Sequence, residues 1–198
     1  METVIIATSN EGKLKEFKEL MRDLPVEVKS LKDYPIISDI EENGSTFAEN
    51  AFIKASTVYE QTGCICIADD SGLEVDALHG APGIYSARYA GENKDDQANN
   101  KKLLDAMEAV PTDQRGAQFH CAIVAIDSNG IRYDAEGIVR GSILYAPQGE
   151  NGFGYDPLFY LSDFECTTAQ LSMDQKNKIS HRGIAVRKIV DILKQEVF

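Results

Sequence analysis

No run in this 198-residue chain approaches the ~20 consecutive apolar residues that a membrane span requires. Nor does it open on a basic segment followed by a long apolar one, so a cytoplasmic protein with no membrane partner is expected. Cysteine is scarce. Cys64, Cys66, Cys121 and Cys166 form neither a CxxC pair nor a zinc-ligand spacing, and Cys64 and Cys66 fall on one face of a strand. Reduced thiols in or near the core are expected. Positive charge is also short: 20 Lys and Arg against 32 Asp and Glu give a formal charge of −12. Such a surplus repels polyanions, which argues against a nucleic-acid partner bound through counterion release. A small phosphorylated ligand stays open, provided cations gather locally or a metal brings the charge. Repeats, low-complexity segments and convincing linkers are absent. At 43% hydrophobic, residues 1–198 read as a single α/β domain, with one core or two lobes sharing a sheet.

What is present alternates strand and helix. Thr3 to Thr8 is a short β-rich run; after the turn Ser9-Asn10-Glu11-Gly12, Leu14, Phe17, Leu20 and Met21 recur at helical spacing until Pro25. A strand is expected over Val26 to Leu31. Thr46, three residues before Glu49, reads as a capping box opening a helix whose apolar face is Phe47, Ala51, Phe52, Ala55, Val58 and Tyr59, with Gly63 as its end. Cys64 to Ala68 reads as a buried strand running into Asp69-Asp70-Ser71-Gly72, which places two carboxylates at its carboxyl end, where open α/β sheets bind ligands. A helix over about Asp95 to Met107 follows. Ala117 to Ile126 and Ile131 to Val139, flanking Ser128-Asn129-Gly130, predict a long hairpin and hence a mixed sheet. The loop from Gly141 to Gly154 carries four glycines, and its length suggests that it binds something. Ser172 with Gln175 forms another capping box, and Val186, Ile189, Val190 and Leu193 stripe a final helix.

Four groups carry candidate chemistry. Asp69 and Asp70 point to opposite sides if the strand continues through them, and with Glu42 they offer carboxylate oxygens to magnesium; Asp69-Asp70-Ser71-Gly72 is equally the composition of a surface turn. Thr8-Ser9-Asn10-Glu11-Gly12-Lys13 joins a strand end to a helix N-terminus, where free N–H groups and side-chain donors cradle phosphate. It lacks the upstream glycine and the Ser or Thr of a Walker A loop, and an N-capping turn is its plainer reading. Lys176, Ser180, His181 and Arg182 gather donors suited to a phosphate or a base carbonyl, or are solvated surface charges. In Phe153-Gly154-Tyr155-Asp156-Pro157 an aromatic ring can stack on a base and Asp156 can accept from it, unless the segment only anchors its loop in the core.

In this order the four groups resemble the Ham1 family of inosine triphosphate pyrophosphatases, across essentially the whole chain. The likeness runs through Thr8 to Lys13, Glu42-Asn43-Gly44-Ser45-Thr46-Phe47, Glu49-Asn50-Ala51 with Lys54-Ala55, and Ala68 to Leu73. It continues through Gly80 to Tyr89, Phe153 to Phe159 and Ile179-Ser180-His181-Arg182. It implies a long curved mixed β-sheet flanked by helices, two lobes with a central cleft, and a homodimer. It also implies Mg2+-dependent hydrolysis of the triphosphates of 6-keto purines (inosine, deoxyinosine, xanthosine) to the monophosphate and pyrophosphate. By matching position, Glu42 and Asp70 become magnesium ligands, Asp70 the general base and Asp69 a supporting acid. Thr8, Ser9, Asn10, Lys13 and Lys54 become phosphate contacts, with Lys13 and Lys54 offsetting the leaving pyrophosphate. Ser71, Phe153, Gly154, Tyr155, Asp156, Lys176, His181 and Arg182 surround the nucleotide, His181 and Arg182 being the candidate donors to the 6-keto oxygen. Two positions depart from the family pattern: Tyr155 stands where Trp is common, and Gln118 where Arg is frequent.

Overall fold

A computed structural model describes residues 2–35, 37 and 40–198. Its strands are β1 (Glu2–Ile6), β2 (Val26–Ser30), β3 (Ile65–Val75), β4 (Gly116–Ile126), β5 (Arg132–Ile143), β6 (Phe159–Leu161) and β7 (Cys166–Thr167). The α-helices are α1 (Glu11–Leu20), α2 (Phe47–Thr62), α3 (Asp96–Ala106), α4 (Met173–Ile179) and α5 (His181–Glu196). The strands form one open sheet in the order β2-β1-β3-β4-β5-β6-β7. β1 pairs in parallel with β2 and β3, whereas β6 runs antiparallel to β5 and to β7, so the sheet is mixed as expected.

The chain divides into two compact units, one of Met1–Asp70, Cys121–Gly137 and Arg182–Phe198, the other of Ser71–His120 and Ile138–His181. In the first, strand parity decides which helix covers which face, because successive side chains leave a strand on opposite sides. Val4, Ile6, Ile65, Ile67, Ile123 and Ala125 point toward Phe17 and Met21 and toward Val186, Ile189 and Leu193 of α5. Ile5, Cys66, Ala68, Val124 and Ile126 point toward Ala51, Ala55 and Val58 of α2. A sheet apolar on both faces gives the near-continuous hydrophobic runs seen in β1 and β3.

The second unit has its own core, including Leu73, Val75, Leu103, Met107, Phe119, Tyr155, Leu158 and Phe159. Arg115, 2% exposed, donates to the carbonyl oxygens of Met107, Val110, Ile143 and Leu144. It thereby binds the carbonyl-rich end of α3 to the end of β5.

Three expectations change. The strand after Gly63 does not stop at Ala68 but continues through Asp69-Asp70-Ser71-Gly72 to Val75, so the aspartates lie within a buried strand and not at its carboxyl end. Gly141 belongs to β5, which shortens the glycine-rich loop. Thr46 caps α2 by accepting from the Glu49 N–H at 3.1 Å, but the Glu49 carboxylate binds the backbone and hydroxyl of Ser45, so only half of the capping box forms there. The Ser172 and Gln175 box is complete. All four cysteines are free thiols, Cys66 and Cys121 buried.

Candidate active site

Strand parity carries on past the core into the two aspartates. Asp69 follows Ile65 and Ile67 toward α1 and α5; Asp70 follows Cys66 and Ala68 toward α2. Each therefore meets a different set of partners.

On the first face Lys13 reaches Asp69 Oδ2 at 3.0 Å, from a helix whose start is fixed by Asn10, whose Oδ1 accepts from the Lys13 N–H at 3.0 Å. Thr8 Oγ1 accepts from the Asn10 N–H, while Ser9 is exposed. The segment Thr8 to Lys13 is thus an N-capping turn that also delivers an ammonium group to a buried carboxylate. Arg182 Nε donates to the same Asp69 oxygen at 3.2 Å, and its Nη1 pairs with Glu16. The Cys121 thiol lies 3.9 Å from that oxygen. Burial alone would raise the Asp69 pKa, but Lys13, Arg182 and Lys54 outweigh it and hold the carboxyl far below the usual range.

That direction gives the acid sensitivity of the fold its sign. The unfolded chain takes up the Asp69 proton near the ordinary value of about 4, above the folded one, so this contribution to stability is intact above pH ~4 and lost as the pH falls below it. Urea unfolding at pH 5, 4 and 3 is expected to show a smaller loss of stability across this window in Asp69→Asn than in the unsubstituted protein; equal losses would remove Asp69 as a source of acid sensitivity.

On the second face Lys54 of α2 stands 2.9 Å from Glu42 Oε2 and 3.9 Å from Asp70 Oδ1. Asn50, one turn earlier, donates from Nδ2 to Asp70 Oδ2 at 3.0 Å. Burial pushes the Asp70 carboxyl up, with Glu42 adding to the rise and Lys54, Lys13 and the Asn50 hydrogen bond opposing it. The Lys54 ammonium is held above its ordinary pKa, because Asp70, Glu42 and Asp69 together outweigh its burial.

Across both faces three cations, Lys13, Lys54 and Arg182, meet four carboxylates, Glu16, Glu42, Asp69 and Asp70. The acidic surplus lies on the Glu42 and Asp70 side. Hard carboxylate oxygens suit Mg2+, which takes one or two carboxylates and fills its shell with water and phosphate oxygens. Among the described residues no group of three or more His, Cys, Asp or Glu side chains forms a metal cage. A pair of carboxylates is what such an ion needs.

The second unit gathers Phe153, Asp156, Lys176 and His181. Asp156 is 2% exposed and accepts from the Phe153 N–H at 2.9 Å, Lys176 Nζ at 2.8 Å and Thr168 Oγ1 at 2.9 Å. A Cβ on Gly152 would stand 2.0 Å from Asp156 Oδ2, so glycine is needed for the loop to wrap the carboxylate. The Lys176 ammonium sits 4.6 Å over the Phe153 ring, and Phe119 stacks on His181 at 4.7 Å. Gly154 is tied to α3 by the Asp96 carboxylate and the Asn100 amide. Ser71 lies partly buried in β3.

Two side chains expected around the nucleotide are buried and bonded within the protein. Tyr155 is 4% exposed within the core and donates its hydroxyl to the Ser86 carbonyl at 2.8 Å. Arg182 is 2% exposed and bound by two carboxylates. Residue type suggested donors and a stacking ring, but internal acceptors hold both. Sequence reasoning missed Glu16, Asn50, Cys121 and Thr168. For Glu16 a signal was present: it lies three residues after Lys13, hence on the same helix face, beside Phe17.

Residues 4–192 match the Ham1 family. The chain is 52% identical over 190 residues to a dITP/XTP pyrophosphatase of Desulforamulus reducens, covering 96% of this chain and 94% of the relative. It is 52% identical over 195 residues to a dITP/XTP pyrophosphatase of Bacillus licheniformis, covering 98% and 100%. Among solved structures, the Staphylococcus aureus Ham1 protein superposes with a TM-score of 0.88 at 44% identity, covering 98% of this chain and 100% of that one. A HAM1 protein from Coxiella burnetii gives 0.90 at 43%, with the same coverage.

Proposed function

Because the chain belongs to the Ham1 family, we propose that it hydrolyses the triphosphates of non-standard 6-keto purines, inosine, deoxyinosine and xanthosine, to the monophosphate and pyrophosphate. The observation that carries the reading is the meeting of Lys13, Lys54, Glu42, Asp69 and Asp70 within one unit, from positions far apart along the chain. A sensor that only bound nucleotide would need the cations but not a buried carboxylate beside them.

In the proposed reaction a water oxygen attacks the α-phosphorus, the bond from that phosphorus to the bridging oxygen breaks, and pyrophosphate leaves. Asp70 takes the proton of the attacking water. Lys13 and Lys54, held by Asp69 and by Glu42 with Asp70, offset charge on the departing pyrophosphate. Glu42 and Asp70 would hold Mg2+, which would add positive charge against the triphosphate. Asp69 acts as the anchor for Lys13, and Arg182 enters the proposal through Asp69. Thr8, Ser9 and Asn10 are assigned to phosphate contact through the α1 turn. Ser71, Phe153, Gly154, Lys176 and His181 are assigned to the nucleoside, and Tyr155 and Asp156 to holding the loop that bears Phe153. His181 is the assigned donor to the 6-keto oxygen.

A homodimer and a cytoplasmic setting belong to the same proposal. Tyr85, Tyr145 and Phe164, each more than half exposed, offer apolar surface to a second copy. No helix among the described residues is long and apolar enough to cross a membrane.

The test is a panel of triphosphates with Mg2+ and identification of products. Monophosphate and pyrophosphate are expected from inosine and xanthosine triphosphate, with kcat/KM at least about 10²-fold above that for adenosine triphosphate, since a buried donor facing a 6-amino group is left unpaired. Orthophosphate as the product would refute cleavage at the α-phosphorus, and binding without any product would leave a sensor.

A further inference from the structure

The proposed reaction gives no role to Asn50, yet this side chain is 2% exposed and joins two parts of the candidate site. From α2 it donates through Nδ2 to Asp70 Oδ2 at 3.0 Å and accepts through Oδ1 from the Gly44 N–H at 2.8 Å. The orientation of the amide is dictated by its partners. A backbone N–H only donates and an ionised carboxylate only accepts, so the oxygen must face Gly44 and the nitrogen Asp70. Gly44 lies two residues after Glu42, so one amide links the loop bearing Glu42 to the strand bearing Asp70.

Gly44 supplies an independent observation. A Cβ there would stand 2.7 Å from Asn50 Oδ1, 2.7 Å from Glu49 Cβ and 3.0 Å from the Asn50 backbone nitrogen. None of these can yield cheaply, since two belong to a capped helical turn and the third is the accepting oxygen itself. The loop thus approaches α2 as closely as only glycine permits, at the point where the amide holds it. On the carboxylate, the amide takes Oδ2 while Oδ1 faces Lys54 at 3.9 Å. A hydrogen bond to one oxygen and an ammonium near the other orient the carboxylate plane.

We infer that Asn50 is a positioning residue for the hydrolytic reaction: its amide orients Asp70 and, through Gly44, ties the loop bearing Glu42 to it, the two carboxylates that would hold a divalent cation. The inference rests on the proposed function and adds to it a coupling between the two candidate ligands. A group that acts by position governs kcat more than KM, because misplacing a reacting group by about 1 Å can cost about 10²-fold in rate.

Two substitutions perturb the link from opposite ends. Asn50→Asp keeps an acceptor for Gly44 but removes the donor to Asp70, whereas Gly44→Ala pushes the loop off the amide and leaves Asp70 and Asn50 chemically intact. Each is expected to lower kcat for inosine triphosphate about 10²-fold with KM changed less than about threefold. The double variant should be no worse than about threefold below the poorer single one, as for residues acting as one unit. Mn2+ titration of the nucleotide-free protein, followed by electron paramagnetic resonance, supplies a readout independent of turnover. Gly44→Ala should weaken Mn2+ binding about tenfold or more, as expected when one of two ligands is displaced. If the unsubstituted protein turns over no triphosphate, the proposed function fails and the Mn2+ arm alone decides the link between Glu42 and Asp70. If it turns over inosine triphosphate and both variants stay within twofold in kcat and Mn2+ affinity, the inference about Asn50 is overturned. Equal falls in kcat of adenosine and inosine triphosphate support it, because the coupling lies away from the base. Should Asn50→Asp fail to fold, Gly44→Ala decides alone.

Discussion

Asp70→Asn is expected to lower kcat for inosine triphosphate by about 10³-fold or more, while KM changes less than about tenfold and the melting temperature stays level or rises. The rate loss combines two effects: an amide cannot take the proton of the attacking water, and the charge that Asp70 contributes to the carboxylate pair with Glu42 is gone. Stability moves the other way because of the sign of the pKa shift. The folded protein disfavours the ionised Asp70 carboxyl, chiefly through burial, so a neutral isostere relieves a cost already present in the native state. Geometry is kept, since the amide oxygen introduced by the substitution can still accept from Asn50, and Lys54 retains Glu42 at 2.9 Å. Steady-state kinetics following pyrophosphate release, with a thermal melt of the same preparation, checks both halves. A kcat within tenfold of the unsubstituted value would remove Asp70 as the base, and a collapse of the melting temperature would recast it as structural.

Much of this arrangement was legible in the residues. The helices of the first unit largely follow their apolar spacing: Phe17 and Met21, then Ala51, Ala55 and Val58, then Val186, Ile189 and Leu193 face the sheet as their periods predict, whereas Phe52, expected on the same face as Ala51, is 38% exposed. The strand bearing Asp69 and Asp70 was legible only up to Ala68. Ser71 and Gly72 carry turn chemistry, and nothing local says that β3 would run on past Ile67, where its pairing with β1 ends. β6 and β7, of three and two residues, are too short to show any period; β6 pairs on the edge of β5, and β7 on that of β6.

Within the site, residue type located the chemistry but not its ownership. Lys13 and Lys54, expected as phosphate contacts, lie beside the carboxylates. Asp156 was read as an acceptor for a ligand, yet its oxygens accept from Phe153, Thr168 and Lys176. A motif shows which groups can bond; only the fold shows which bonds are already made. Asn50 illustrates the reverse, since its value lies in being two-sided, one partner in a loop and the other in a strand.

Bonds already made also set the second large effect, at Arg182. Its guanidinium is bound by Asp69 and Glu16, both buried, and is itself 2% exposed. Arg182→Met keeps much of the apolar stem and removes only the charge, which leaves Glu16 without that guanidinium and Asp69 with Lys13 at 3.0 Å as its cation. Stripping one partner from a buried ion network costs about 3–5 kcal/mol, because the remaining charges keep their desolvation penalty and lose their compensation. A loss of about 3–5 kcal/mol in urea unfolding at pH 7 is therefore expected. Adding Glu16→Gln should recover part of it by removing a buried charge that has lost the guanidinium, so that the double variant is more stable than the single one. The kinetic signature follows from the same geometry. Arg182 reaches the reaction through Asp69 and Lys13, so turnover of inosine and adenosine triphosphate should fall together at temperatures where the variant is folded. Stability unchanged within about 0.5 kcal/mol, with a loss confined to inosine triphosphate, would instead assign the guanidinium to the purine.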